Sequence, residues 1–81
     1  MHEWILYMRP GCHLCEEAEE WLLELAERRG ARLTLVNILA DPAIYERYKW
    51  KIPVLLAGGT VWEAPLDPAG LAAALAEPPS Q

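Results

Sequence analysis

The sequence predicts an α/β domain in the order β, α, β, short α, β, β, α around a four-stranded mixed sheet. Three observations carry that expectation. Short apolar runs rich in β-forming residues, at 3–8, 31–38 and 52–57, alternate with a segment whose apolar residues recur at helical spacing. The pairs Asp41-Pro42 and Asp67-Pro68 each place a capping carboxylate ahead of a proline suited to the first helical position. Gly58-Gly59 stands between two short apolar runs, where a tight hairpin needs positive φ. With 81 residues the chain has room for one modest core and no second domain.

The elements follow in order. Residues 3–8, from Glu3 to Met8, read as a buried strand stopped by Arg9-Pro10-Gly11. Leu14, Ala18, Trp21, Leu22, Leu25 and Ala26 then share one helix face with glutamates opposite, predicting an amphipathic helix over about 12–29. Its early glutamates suit the positive end of the macrodipole, Arg28 and Arg29 suit the negative end, and Gly30 can close it in the left-handed conformation. Residues 31–38 have the content of a second buried strand, which after a helical crossover should lie parallel to the first. Asp41-Pro42 opens a short helix carrying Ile44, Tyr45 and Tyr48. Residues 52–57 form a third strand, and the hairpin returns 60–63 antiparallel to it. Asp67-Pro68 opens the last helix, through about Ala76, with Leu66 able to pack on Leu71 as a hydrophobic staple. One domain over 1–77 and a flexible tail, Pro78-Pro79-Ser80-Gln81, complete the organisation.

Charge narrows the partners. A net charge of -5 argues against nucleic acid, whose phosphates require clustered Lys and Arg. No apolar run approaches the roughly 18 residues that span a bilayer, and Met1-His2-Glu3-Trp4 runs straight into an apolar segment without the features of a secretory signal. We expect a cytoplasmic protein without a membrane or nucleic-acid partner, acting as a monomer. Glu16, Glu17, Glu19, Glu20, Glu24 and Glu27 read as a solvated helix face, while Lys49 and Lys51 flank Trp50 in a separate basic stretch.

The chemistry lies in Arg9-Pro10-Gly11-Cys12-His13-Leu14-Cys15, which holds both cysteines of the chain. A bridge between them would close too small a loop to contribute much stability. At a helix N-terminus, by contrast, unpaired N–H groups and the positive end of the macrodipole stabilise a thiolate on the first cysteine. Cys12 is therefore the candidate nucleophile. Cys15, one turn on, is close enough to attack a mixed disulfide at the Cys12 sulfur. Arg9 and a protonated His13 favour the thiolate, Glu16 and Glu17 oppose it, and the backbone donors outweigh these solvated charges, so the Cys12 pKa should fall below the ordinary thiol value. His13, in the exposed dipeptide, is expected to make the pair more oxidising when charged.

Two neighbouring thiols have other uses. A zinc site needs two further ligands, for which only His2 and His13 are at hand, and Glu16 after Cys15 removes the haem-attachment signature. A metal-binding module like the small copper chaperones would use the same thiols. Those domains, however, carry Met where this chain has Pro10 and end in a strand, whereas a helix is expected last here. An inert packed pair and a redox-sensing interaction domain are the remaining alternatives. We expect no bound metal or organic cofactor.

With the cysteine pair at a helix start, this element order, and Ile52-Pro53 opening the third strand, the chain resembles the thioredoxin superfamily. It is most similar to small glutaredoxin-like proteins, and Tyr7 to Ala18 looks especially like an uncharacterised glutaredoxin-like group. The resemblance implies a thioredoxin-like fold and dithiol–disulfide exchange. It makes Cys12 the nucleophile, Cys15 the resolving thiol, and Pro53 a cis-proline preceded by Ile52, whose backbone would bind a thiol substrate. The implied partner is a protein or small-molecule disulfide, with glutathione or a thioredoxin-type system as reductant. Arg9, Lys49 and Lys51 could supply the cationic half of a glutathione groove. Several positions depart from glutaredoxins. His13-Leu14 replaces Pro-Tyr, Lys51-Ile52-Pro53 replaces Thr-Val-Pro, and Glu63-Ala64-Pro65-Leu66-Asp67 stands where a Gly-Gly and Asp hold glutathione. Gly11 and Leu6 occupy the positions of the Trp and buried Asp of thioredoxins. Weak or absent glutathione dependence is therefore expected.

Overall fold

The computed structural model describes residues 2–75. Its elements are β1 (His2–Met8), α1 (His13–Arg29), β2 (Ala31–Asn37), a 3-10 turn (Ile38–Ala40), α2 (Pro42–Tyr48), β3 (Val54–Ala57), β4 (Thr60–Trp62) and α3 (Pro68–Ala74). The strands form one mixed sheet in the order β2-β1-β3-β4. β1 runs parallel to β2 from His2↔Ala31 to Met8↔Asn37, β3 is antiparallel to β1, and β4 is antiparallel to β3. The expected tail at 78–81 and the expected helix end near Ala76 lie outside the described residues.

Because strand side chains alternate between faces, β1 serves two layers. Trp4 and Leu6 join Leu55 and Ala57 of β3, Ala18, Leu22, Leu25 and Ala26 of α1, and Leu71 of α3 in the main core. Tyr7 points the other way and stacks on Tyr48 of α2, with ring centroids 4.7 Å apart. Leu6, Leu22 and Leu55 are fully buried, each contributing about 2 kcal/mol by leaving water.

The helix ends follow the chemistry expected of them. Asp41 accepts from the Ala43 and Ile44 N–H groups, Asp67 accepts from that of Gly70, and Gly30 ends α1 at φ 68°. Arg29 also does what the sequence did not announce. Its guanidinium donates to the Leu75 carbonyl at 3.1 Å and the Ala72 carbonyl at 3.2 Å, tying the C-terminal ends of α1 and α3 together.

Four expectations are corrected. β2 is a half-buried edge strand rather than a buried one, since it has a single neighbour, β1, and leaves Leu35 41% exposed. Ile38, expected as its last residue, leaves the ladder for the 3-10 turn, where Asn37 caps the Leu39 N–H, and is fully buried. β3 begins at Val54 instead of residue 52, with Val54 opposite Tyr7; Pro53 has no N–H to give to a ladder. Leu14, placed by spacing on the apolar face of α1, is 57% exposed, since it borders an open cleft while its neighbour Cys15 takes the buried position of that turn. Among the described residues no helix is long and apolar enough to cross a membrane.

Candidate functional site

β1 delivers the chain to the site and α1 holds it. Between them Gly11 takes φ 80°, a conformation only glycine enters without strain, and turns the backbone so that Cys12 becomes the N-cap of α1. The Cys12 N–H donates to the Arg9 carbonyl at 3.4 Å, and its own carbonyl accepts the Glu16 N–H at 3.0 Å. Its sulfur stands where a Ser or Asp oxygen would cap a helix, accepting the Cys15 N–H at 3.1 Å.

Cys12 and Cys15 are joined in a disulfide, with Cα atoms 5.1 Å apart. The two sulfurs live in different surroundings. Cys15 is 1% exposed beneath the first turn of α1, whereas Cys12 remains partly accessible. His13 is exposed, as expected, and its Nε2 lies 2.9 Å from Oε2 of Glu17 one turn along. Arg9 is exposed on the preceding turn and makes no ion pair among the described residues.

The loop ahead of β3 and the first half of α1 line one cleft. The Ile52–Pro53 peptide is cis and Pro53 is buried, with Ile52 half-buried. Lys51 is engaged within the protein. Its Nζ lies 3.5 Å from Oε2 of Glu63, and its carbonyl accepts the Ala64 N–H at 3.1 Å. The 63–64 segment is thereby strapped to the Pro53 loop. Lys49 is likewise paired, 2.9 Å from Glu46.

A cleft of about 80 Å³ opens between α1 and the Pro53 loop, and Leu14, the residue before Cys15, is one of its lining residues. One wall is a stripe of α1, Leu14, Glu17, Ala18 and Trp21; Pro53 closes the inner side, and Ala64, Pro65 and Leu66 form the other wall. The Ala64–Pro65 bond is a second cis peptide. The sequence pointed to Pro53 and to the 63–67 segment, of which 64–66 forms this wall, but placed Leu14 and Trp21 on the apolar face of α1 and gave Glu17 no part in a binding surface. A signal was present, since 14, 17, 18 and 21 fall on one helical stripe that includes a glutamate. Among the described residues no group of three or more His, Cys, Asp or Glu side chains is arranged to hold a metal ion.

Residues 3–76 match the family model described as Glutaredoxin-like domain (DUF836). The chain belongs to this glutaredoxin-like family. It is similar to a crystal structure from X. campestris, at 34% identity over 89% of this chain and 93% of that one, with a TM-score of 0.75. A solution structure of a Nitrosomonas europaea protein is 31% identical, covering 93% of this chain and 92% of that one, with a TM-score of 0.72. A mutant thioredoxin from Halobacterium salinarum shares the fold at 20% identity and a TM-score of 0.70, over 91% of this chain and 71% of that one. No curated protein matches the chain. A glutaredoxin-like domain with the thioredoxin fold and a cysteine pair at disulfide distance supports a redox role.

Proposed function

We propose that this glutaredoxin-like protein is a dithiol–disulfide oxidoreductase in which Cys12 attacks and Cys15 resolves. One observation carries the reading: an accessible sulfur caps α1 and accepts the Cys15 N–H, while the partner sulfur is buried within bonding reach. A helix N-terminus favours the anionic form of the sulfur it meets.

In the reduced protein the Cys12 thiolate attacks one sulfur of a substrate disulfide. A Cys12–substrate disulfide forms as the substrate bond breaks, and the other substrate sulfur leaves as a thiolate that takes up a proton. Cys15, losing its proton, then attacks the Cys12 sulfur, forms the internal disulfide and releases the second substrate thiol. Two electrons and two protons pass to the substrate. A thiol reductant, small or protein, restores the dithiol by the reverse exchange, and no metal or organic cofactor takes part in either step.

The test is a pair of variants. Cys12→Ser should abolish disulfide reduction, whereas Cys15→Ser should still attack and accumulate a mixed disulfide visible by mass spectrometry. Equal trapping by both variants would reverse or erase the assignment. Alkylation of the reduced protein against pH should titrate below the ordinary thiol value of about 8.5.

A further inference from the structure

The cleft between α1 and the Pro53 loop has two properties that a purely structural hollow does not need. Leu14, between the cysteines, stays 57% exposed although it lines the cleft. Glu17 is the one charged side chain among its lining residues. Its carboxylate is 59% exposed and pairs with His13, itself on the cysteine turn. No lysine or arginine lines the cleft to oppose this negative rim, and Lys51 is paired with Glu63.

We propose that this cleft selects the substrate of the exchange reaction, an inference that rests on the oxidoreductase reading above. It takes a disulfide in an extended peptide segment whose cysteine is flanked by an apolar side chain and, beside that, a basic one. The apolar side chain sits between Leu14, Trp21 and Pro65 with Pro53 behind it, while Glu17 meets the Lys or Arg. Apolar contact at a half-open cleft provides affinity, and a carboxylate at its rim provides the choice of sign. Small thiols that carry carboxylates meet Glu17 as a like charge and leave the apolar walls uncovered. The electron and proton balance is that of the exchange already written, with the peptide disulfide as oxidant of the Cys12–Cys15 dithiol. Glu17 thus acts as a specificity-determining residue without touching the reacting sulfurs.

The experiment uses the reduced full chain and four synthetic peptide disulfides, identical except at the two residues flanking cysteine: Leu-Lys, Leu-Glu, Ser-Lys and Ser-Glu. Hydroxyethyl disulfide serves as a small uncharged oxidant. The readout is the ratio of second-order rate constants within one protein, which cancels any change in intrinsic thiol reactivity. Leu-Lys should react about fivefold faster than Leu-Glu, the scale of one exposed charge pair, and should also outpace Ser-Lys. Glu17→Lys should invert the Lys-to-Glu ratio while keeping the Leu-to-Ser ratio, and Leu14→Ser should flatten the Leu-to-Ser ratio alone. Equal rates for all four peptides, with hydroxyethyl disulfide still reduced, would overturn the selectivity and leave the oxidoreductase reading standing. Failure of every disulfide to oxidise the dithiol would overturn both.

Discussion

His13 stands at the first position of α1 with 81% of its side chain exposed, between the two cysteines and within 2.9 Å of Glu17. Its charge, when present, lies near the sulfur that becomes anionic on reduction, so it stabilises the reduced form and raises the potential; Glu17 works against it. Proline is the natural replacement because the first helical position has no intrahelical N–H bond to lose. Against the charged imidazole, His13→Pro should make the pair more reducing by about 20 mV, the equivalent of a solvated interaction just under 1 kcal/mol. Glu17→Gln should move the potential in the other direction. Equilibration against a dithiothreitol or glutathione couple measures both, and an unchanged potential in His13→Pro would make the imidazole a spectator. Gly11 presents a backbone question instead. A Cβ there would meet nothing within 4 Å, so the cost of Gly11→Ala comes from φ 80° alone. The variant should lose about 1–2 kcal/mol in urea unfolding, and a neutral result would mean that the turn rearranges.

Among the elements, α1 carries both the core and the site, and its two ends have separate tasks. Leu22 is fully buried at its centre, so Leu22→Ala should cost about 3 kcal/mol in urea unfolding, through lost transfer energy and a residual cavity. Arg29 holds α3 through two carbonyl oxygens, and Arg29→Ala should cost about 2 kcal/mol, as expected for hydrogen bonds to a charged donor. Arg29→Lys should rescue only part of that, because a single ammonium lacks the fork that spans Ala72 and Leu75. A loss below a few tenths of a kcal/mol would show that α3 docks without it. Legibility divides along the same lines. Caps, turns and the helical stripe are local chemistry, so Asp41, Asp67, Gly30 and the order of elements could be read from neighbours in sequence. Edge and centre of a sheet could not. An apolar run such as 31–38 looks the same in either position, and only pairing reveals that β2 has one neighbour. The site shows the same limit. Cys12 and Cys15 are one turn apart and announce themselves, while the cleft joins Leu14 to Pro65 across half the chain, a meeting that no local pattern encodes. Leu14 misled for that reason, since its spacing matches the buried face but its surroundings are the mouth of the cleft.

At the scale of the whole molecule the proposed oxidoreductase cycle needs a thiol that returns electrons to the Cys12–Cys15 disulfide. Glutathione brings two carboxylates and an amine to a chain of net charge -5. A groove that held it would need cationic side chains at one end and a cradle of backbone donors at the other. Both lysines and part of the segment after β4 are engaged in internal contacts here, and of the three candidate cations Arg9 alone makes no ion pair among the described residues. Lys51 pairs with Glu63 and Lys49 with Glu46. In the segment after β4, the Ala64 N–H is used by the Lys51 carbonyl, Pro65 has no N–H, and the Asp67 carboxylate caps the Gly70 N–H of α3. Recruiting Lys51 for a carboxylate of glutathione would break its pair with Glu63, so the net gain is smaller than the roughly 0 to 1 kcal/mol of an exposed pair formed afresh. A protein reductant does not depend on that cradle, since it can deliver its thiolate to the accessible Cys12 sulfur using contacts over a wider surface. Reduction of the oxidised protein should therefore be slow with glutathione and its reductase and faster with thioredoxin and thioredoxin reductase, followed as NADPH consumption at matched reductant-thiol concentration. Glu63→Gln, which frees the Lys51 ammonium, should raise the glutathione rate by a few fold and leave the preference for thioredoxin in place. A wild-type preference for glutathione that disappears in Lys51→Glu would overturn this prediction, because it would mean that the lysine serves the ligand rather than the strap to the Pro53 loop.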